Sequence, residues 1–120
     1  VLEVKLIEAR GVAAADTGGK SDPYCVLECG TTKHESKTMD ATLNPVWNET
    51  FQFKFTSETA KMLVVEVFDR DKFRVGNESL GLVKINFGEL EADVLNDLWL
   101  PLKDKQGRNA QGQLHLQVSY

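Results

Sequence analysis

Asp69-Arg70-Asp71 ends a run of β-forming residues, Leu63 to Phe68, and opens a loop that continues Lys72-Phe73-Arg74-Val75. Residues two apart on an extended backbone point the same way, roughly 6.5–7 Å apart, so Asp69 and Asp71 aim two carboxylates at one spot. Such a pair repels itself unless a cation sits between, and ligands made only of oxygen favour a hard ion such as Ca²⁺ or Mg²⁺. Two more carboxylates, Asp16 and Asp22, flank a second loop, residues 13–22. If the two loops meet at one end of the fold, the four carboxylates can hold one or two Ca²⁺ ions. Each ion wants about six to eight oxygens, so backbone carbonyls, Asn77, phosphates and water must complete the set.

The elements that must position these loops read as short strands. Val1–Ala9 alternates, with Leu2, Val4 and Leu6 on one face and Glu3 and Lys5 on the other. Tyr24–Cys29 puts Cys25, Leu27 and Cys29 on a common face, and Thr31–Met39 reads as a polar, exposed strand or hairpin. Asn44-Pro45 forces a turn, because proline fixes its own φ and keeps the preceding residue out of the helical region. Phe51, Phe53 and Phe55 give the clearest period-two signal, which Leu63, Val65 and Val67 repeat. Leu82–Ile85, Leu98–Leu102 and Gln113–Tyr120 complete the strands, and Glu89–Leu95 is expected to make two turns of helix. About eight short strands with frequent turn signals and almost no helix predict an all-β fold, an antiparallel sandwich or barrel. The three loops 13–22, 42–48 and 69–79 carry the unusual chemistry, where a rigid sandwich tends to place function.

A chain of 120 residues is one domain, 1–120, large enough for a single core. Its first residue, Val1, suggests a module excised from a larger multidomain protein. A net charge of −4 argues against nucleic acid, which calls for a basic face. Cys25 and Cys29, four apart in one strand, would lie about 13 Å apart, too far for a mutual disulfide. Two free thiols fit a reducing, cytoplasmic setting. His34 and His115 read as isolated surface residues, and Trp99 as core or edge packing. Lys33, Lys37 and Lys54, interrupted by Glu35, read as a solvated face.

Three phrases together resemble one family. Asp16-Thr-Gly-Gly-Lys-Ser-Asp22-Pro23-Tyr24 is similar to the first calcium loop of a C2 domain. Thr42-Leu-Asn44-Pro45-Val-Trp47-Asn48-Glu49, followed by Phe51-x-Phe53, is similar to the family's second diagnostic stretch. Phe68-Asp69-Arg70-Asp71 with Gly81 is similar to the third. The resemblance runs from Leu2 to Tyr120. It implies an eight-stranded antiparallel Greek-key β-sandwich. The chain opens on the strand that leads into the first calcium loop, so it also implies the phospholipase-like, type II permutation.

Carried over position by position, the resemblance makes Asp16, Asp22, Asp69 and Asp71 side-chain calcium ligands, and the carbonyls of Thr17 and Arg70 backbone ligands. The family usually has a further Asp eight residues after the first Asp of the third loop. Here Asn77 stands there in a loop one residue longer, with Glu78 as the alternative. One calcium is therefore the expectation, with the second position weaker or empty. Phe73 stands where the family inserts a side chain into the membrane, with Val75 beside it and Lys72, Arg74 and Lys20 as basic contacts to anionic lipid.

The expected function is Ca²⁺-dependent docking of a parent protein, peripherally, on anionic cytoplasmic phospholipid membranes. The alternatives are a Ca²⁺-independent scaffold for a protein partner and a membrane-targeting part of a lipid-signalling enzyme. An EF-hand starting at Asp69 fails, because Phe73, Arg74 and Leu80 would occupy its positions five, six and twelve. The chain has no His-Glu-x-x-His or Gly-x-Ser-x-Gly motif, so a non-catalytic module is expected.

Overall fold

The computed structural model describes residues 1–15, 18–70 and 77–120. Eight antiparallel strands follow in order: β1 (Leu2–Arg10), β2 (Pro23–Cys29), β3 (Thr32–Glu35), β4 (Val46–Phe53), β5 (Met62–Asp69), β6 (Glu78–Asn86), β7 (Asn96–Lys103) and β8 (Asn109–Ser119). They hydrogen-bond in the order β3-β2-β5-β6-β7-β8-β1-β4. Between β6 and β7 only Leu82 and Lys103 are paired. There the ladder divides into two four-stranded leaves, β3-β2-β5-β6 and β7-β8-β1-β4. The inward residues of both, among them Leu27 and Val65 from one and Leu6 and Leu116 from the other, form one core. The expected eight-stranded sandwich is the observed one, and its strand order is compatible with the type II permutation.

Strand alternation places the core, and two irregularities adjust it. In β1, Leu2, Val4 and Leu6 are buried, and a register shift between Leu6 and Glu8 then turns Ala9 inward and Glu8 outward, opposite His115. In β6 a bulge at Leu80, between Ser79 opposite Phe68 and Gly81 opposite Val67, lets both Leu80 and Val83 reach the core. Gly81 is required there. Its φ is +130°, and a Cβ would lie 2.9 Å from that of Leu102.

Three local expectations change. The two turns of helix expected over Glu89–Leu95 do not form, and residues 90–95 are not helical. A 3₁₀ turn spans Phe87–Glu89, Asp93 takes a positive φ of 60°, and Asn96 Nδ2 donates to the carbonyls of Glu91 and Val94. A short helix needs an apolar face to pack, and here Val94 and Leu95 point to solvent. The strand expected over Thr31–Met39 ends at Glu35. At Ser36 the hydroxyl takes over, accepting the N–H of Cys25 at 2.8 Å while Ser36 N donates to the Cys25 carbonyl. The third change concerns the two histidines. His34 Nε2 lies 3.0 Å from the Gln52 carbonyl, tying edge strand β3 to edge strand β4, with the ring against Phe51 and Phe53. His115 stacks on Trp99 at 4.1 Å, with Nε2 2.8 Å from Asp97 and Nδ1 3.6 Å from Glu8. Neither is an isolated surface residue. Sequence spacing hides this because the partners stand on other strands.

At one pole the chain passes through the loops after β1, β3 and β5. At the opposite pole Glu3 of β1 pairs with Ser119 of β8.

Candidate functional site

The first and second loops are stitched together before any ligand is considered. Ser21, fully buried, donates its hydroxyl to the Ala13 carbonyl at 2.7 Å and accepts the N–H of Ala15 at 2.9 Å. Asn44 Oδ1 accepts the N–H of Gly11, the Leu43 carbonyl accepts Val12 N, and the Ser21 carbonyl accepts Thr42 N. These bonds explain why Asn44-Pro45 sits in residues 42–48: it holds the loop after β1 against the loop after β3.

The carboxylates arrive from two neighbouring strands. Pro23 of β2 pairs with Asp69 of β5, so Asp22 and Asp69 stand side by side at the strand ends. Asp69 Oδ1 accepts the N–H of Asp22 at 2.8 Å, and the Asp22 carbonyl accepts Arg70 N at 2.9 Å. Asp22 Oδ1 accepts the N–H of Ala41 at 2.6 Å. Each carboxylate thus has one oxygen fixed by a backbone N–H, which orients its second oxygen without neutralising the charge. Both residues are half-buried.

Arg70, next to Asp69 in sequence, places its guanidinium on the outer side of the sheet. It lies 3.8 Å from the Tyr24 ring centroid, Nε donates to Thr38 Oγ1 at 3.2 Å, and Nη2 donates to Glu35 at 3.1 Å. Tyr24 itself stacks on Phe68 and accepts a 2.7 Å bond at its hydroxyl from Asn77 Nδ2. The cation adjacent in sequence is therefore led away from Asp69. An all-oxygen donor set whose neighbouring cation is engaged elsewhere suits a hard divalent ion.

Of the expected site residues, Asp22, Asp69, Arg70 and Asn77 are placed at this pole, and Lys20 is exposed on the first loop. Asp16, Thr17, Asp71, Lys72, Phe73, Arg74 and Val75 lie outside the described residues. Among the described residues no group of three or more metal-ligating side chains assembles. The Tyr24–Arg70–Glu35–Thr38 cluster has no counterpart in the reading from sequence. The available signal is the parity of the strand, since a residue between Asp69 and Asp71 must point to the opposite face. On the face read from sequence as solvated, Lys33 lies 3.8 Å from Glu28, and Glu35 is taken by Arg70.

A family model described as C2 domain matches residues 1–102. The multiple C2 and transmembrane domain-containing protein of Drosophila melanogaster is 41% identical over 98% of this chain, and human extended synaptotagmin-1 is 35% identical over 100% of it. The chain spans only 13% and 11% of those two proteins' lengths. A solved tandem pair of C2 domains from extended synaptotagmin 2, in a calcium-bound state, superposes with a TM-score of 0.84 at 31% identity, over 98% of this chain and 44% of that one. A solved C2 domain of plant extended synaptotagmin 1 shares the fold with a TM-score of 0.86 at 23% identity, covering 99% and 92%. With its three loops gathered at one pole and Asp22 paired beside Asp69, the chain belongs to the C2 domain family.

Proposed function

We propose that the chain is a Ca²⁺-dependent phospholipid-binding module that docks its parent protein on anionic cytoplasmic membrane surfaces through residues 13–22, 42–48 and 69–79. The observation that carries this reading is the cross-strand pair. Asp22 and Asp69 are held together by backbone N–H groups while Arg70 is drawn off to Tyr24 and Glu35. Two adjacent carboxylates repel an anionic bilayer as well as each other. Asp22 and Asp69 would hold the ion, with Asp16 and Asp71 completing the cup. When bound, calcium supplies the positive charge that offsets these carboxylates and open positions for lipid phosphate oxygens. A calcium-bound extended synaptotagmin 2 among the similar structures supports the same ion.

Lys20, Lys72 and Arg74 add attraction to anionic lipid, each worth about 1 kcal/mol near the surface. Phe73, with Val75, is the inserting element, and burying a Phe contributes roughly 1.5–3 kcal/mol. Asn77 Nδ2 bonded to Tyr24 favours a single calcium, because a residue expected near the second position has its amide on the outer sheet face. That same bond favours the second reading, a Ca²⁺-independent scaffold for a protein partner.

Co-sedimentation with anionic and neutral vesicles, in Ca²⁺ and in EGTA, tests the proposal. Binding confined to anionic vesicles in Ca²⁺ is expected. Equal binding in EGTA would overturn it.

A further inference from the structure

We propose that the turn between β7 and β8 builds, against the start of β6, a groove that takes the phosphate of an anionic lipid as a second membrane contact, separate from the carboxylate cup. The inference rests on the membrane reading above and adds a ligand class and a second site to it. The groove holds about 350 Å³, and its lining includes Ala13, Ser79, Asp104, Lys105, Gln106 and Gln111. Ala13 belongs to the first loop and Ser79 follows the third, so the groove opens at the pole where Asp22 and Asp69 stand.

Its charge differs from that of the rest of the molecule. Within a chain of net charge −4, residues 103–108 carry Lys103, Lys105 and Arg108 against one carboxylate, Asp104. That carboxylate lines the groove and is partly exposed, but both of its oxygens are engaged within the turn. Its Oδ1 accepts the N–H groups of Gln106 at 2.9 Å and Arg108 at 3.0 Å, and its Oδ2 accepts Arg108 Nε at 3.2 Å. The turn is closed further by Asp104 N on the Arg108 carbonyl and Gly107 N on the Asp104 carbonyl. Lys103 Nζ is bonded to Asn109 Oδ1. Among the described residues Lys105 makes no ion pair, and it stands exposed at the rim beside two side-chain amides that can donate.

One ammonium and two amides suit a phosphate oxygen, and the volume falls at the low end of small-ligand sites, about 300–1,000 Å³. A single exposed cation binds a dissolved anion weakly. A headgroup in a bilayer already held by the neighbouring loops is presented at high effective concentration, which makes such a contact count. Lipid phosphate, rather than free phosphate, is therefore the occupant.

The test uses the whole chain, phosphatidylcholine vesicles doped with phosphatidic acid, and the variants K105A, K105E, Q106E and K84E. Lys84 is exposed in the middle of β6, away from this pole, so K84E controls for long-range charge. In Ca²⁺, K105A should partition roughly fivefold less, the loss of one basic contact. K105E and Q106E should lose at least as much, K84E should stay near wild type, and Ca²⁺ affinity measured without lipid should be unchanged. The amide resonances of Gln106 and Gln111 should shift with lipid nanodiscs containing phosphatidic acid and stay in place with inorganic phosphate. Wild-type partitioning by K105E, an equal loss in K84E, or the same shifts with inorganic phosphate would each overturn the groove. Failure of the wild type to bind in Ca²⁺ would instead overturn the functional reading on which it rests.

Discussion

The guanidinium of Arg70 lies 3.8 Å from the centroid of the Tyr24 ring, across the strand pair from the residue that follows Asp22-Pro23 in the chain. A cation that sequence places between two carboxylates is in fact a structural clamp on the outer face, shared with Thr38 and Glu35. Arg70→Gln should therefore cost stability rather than alter calcium binding. The cation–π contact and the exposed ion pair together contribute about 1 kcal/mol. Urea unfolding should show that loss, and calorimetric titration should give an unchanged Ca²⁺ affinity. A tighter affinity would place the guanidinium in the cup instead.

Asp22 and Asp69 offer a contrast between charge and hydrogen bonding. Asp69→Asn keeps an oxygen able to accept the N–H of Asp22, so the calcium-free fold should hold while Ca²⁺ affinity falls at least about tenfold, roughly 1.4 kcal/mol. Asp69→Ala leaves that N–H without its partner and should in addition cost about 1–3 kcal/mol of stability. Thermal unfolding of the two variants in EGTA separates the contributions.

Phe73→Ala is expected to weaken Ca²⁺-dependent vesicle binding about tenfold or more, the loss of a buried aromatic. Ca²⁺ binding in solution should be intact. Unchanged vesicle affinity would remove Phe73 from the proposed membrane contact.

On the outer face of β1, β8 and β7, Glu8, Arg10, His115 and Asp97 form a chain of polar side chains around Trp99. The His115 hydrogen bond, then that of Gln117, holds the Asp97 carboxyl below its usual range, and the Arg10 hydrogen bond does the same for Glu8. A carboxyl depressed in the folded state stabilises the fold above its unfolded value, and that stability disappears as pH falls through the folded value. Asp97→Asn should thus be less stable than wild type near neutrality, with the gap closing as pH falls through and below the usual carboxylate range. Circular dichroism melts across that range measure it. A gap independent of pH would mean that Asp97 acts through packing alone.

Gly107 and Gly112 both have positive φ, +82° and +95°, but different surroundings. A Cβ at Gly107 meets nothing within 4 Å, whereas one at Gly112 would lie 2.7 Å from the carbonyl oxygens of Arg10 and Gly11. Gly107→Ala should cost only the backbone strain, about 1–2 kcal/mol. Gly112→Ala should cost more, because β8 must separate from the end of β1. Chemical unfolding of both variants should return that order.

Period-two alternation in Leu2-Val4-Leu6, Cys25-Leu27-Cys29 and Leu63-Val65-Val67 is enough to read the leaves from sequence, because one-sided burial leaves a direct imprint on residue type. Glu89–Leu95 misleads because its local pattern suits a helix, while the neighbouring strands offer Val94 and Leu95 nothing to pack on. The candidate site is legible in its residue types, in Asp22, Asp69 and the Asn44-Pro45 turn. Its second layer is not. Arg70 on Tyr24, His34 on Gln52 and the Asp104 turn are all set by cross-strand register, which leaves no mark in local spacing.

The pairing of Glu3 with Ser119 brings the first and last strands side by side at the pole farthest from the loops. Any polypeptide continuing beyond either end would depart from that pole, on the side away from the three loops. Held by its two ends, the fold would behave like a plug on a two-stranded cord: a pull would load β1 and β8 as adjacent strands peeled from one end, and the loops at the other pole would stay out of the line of force.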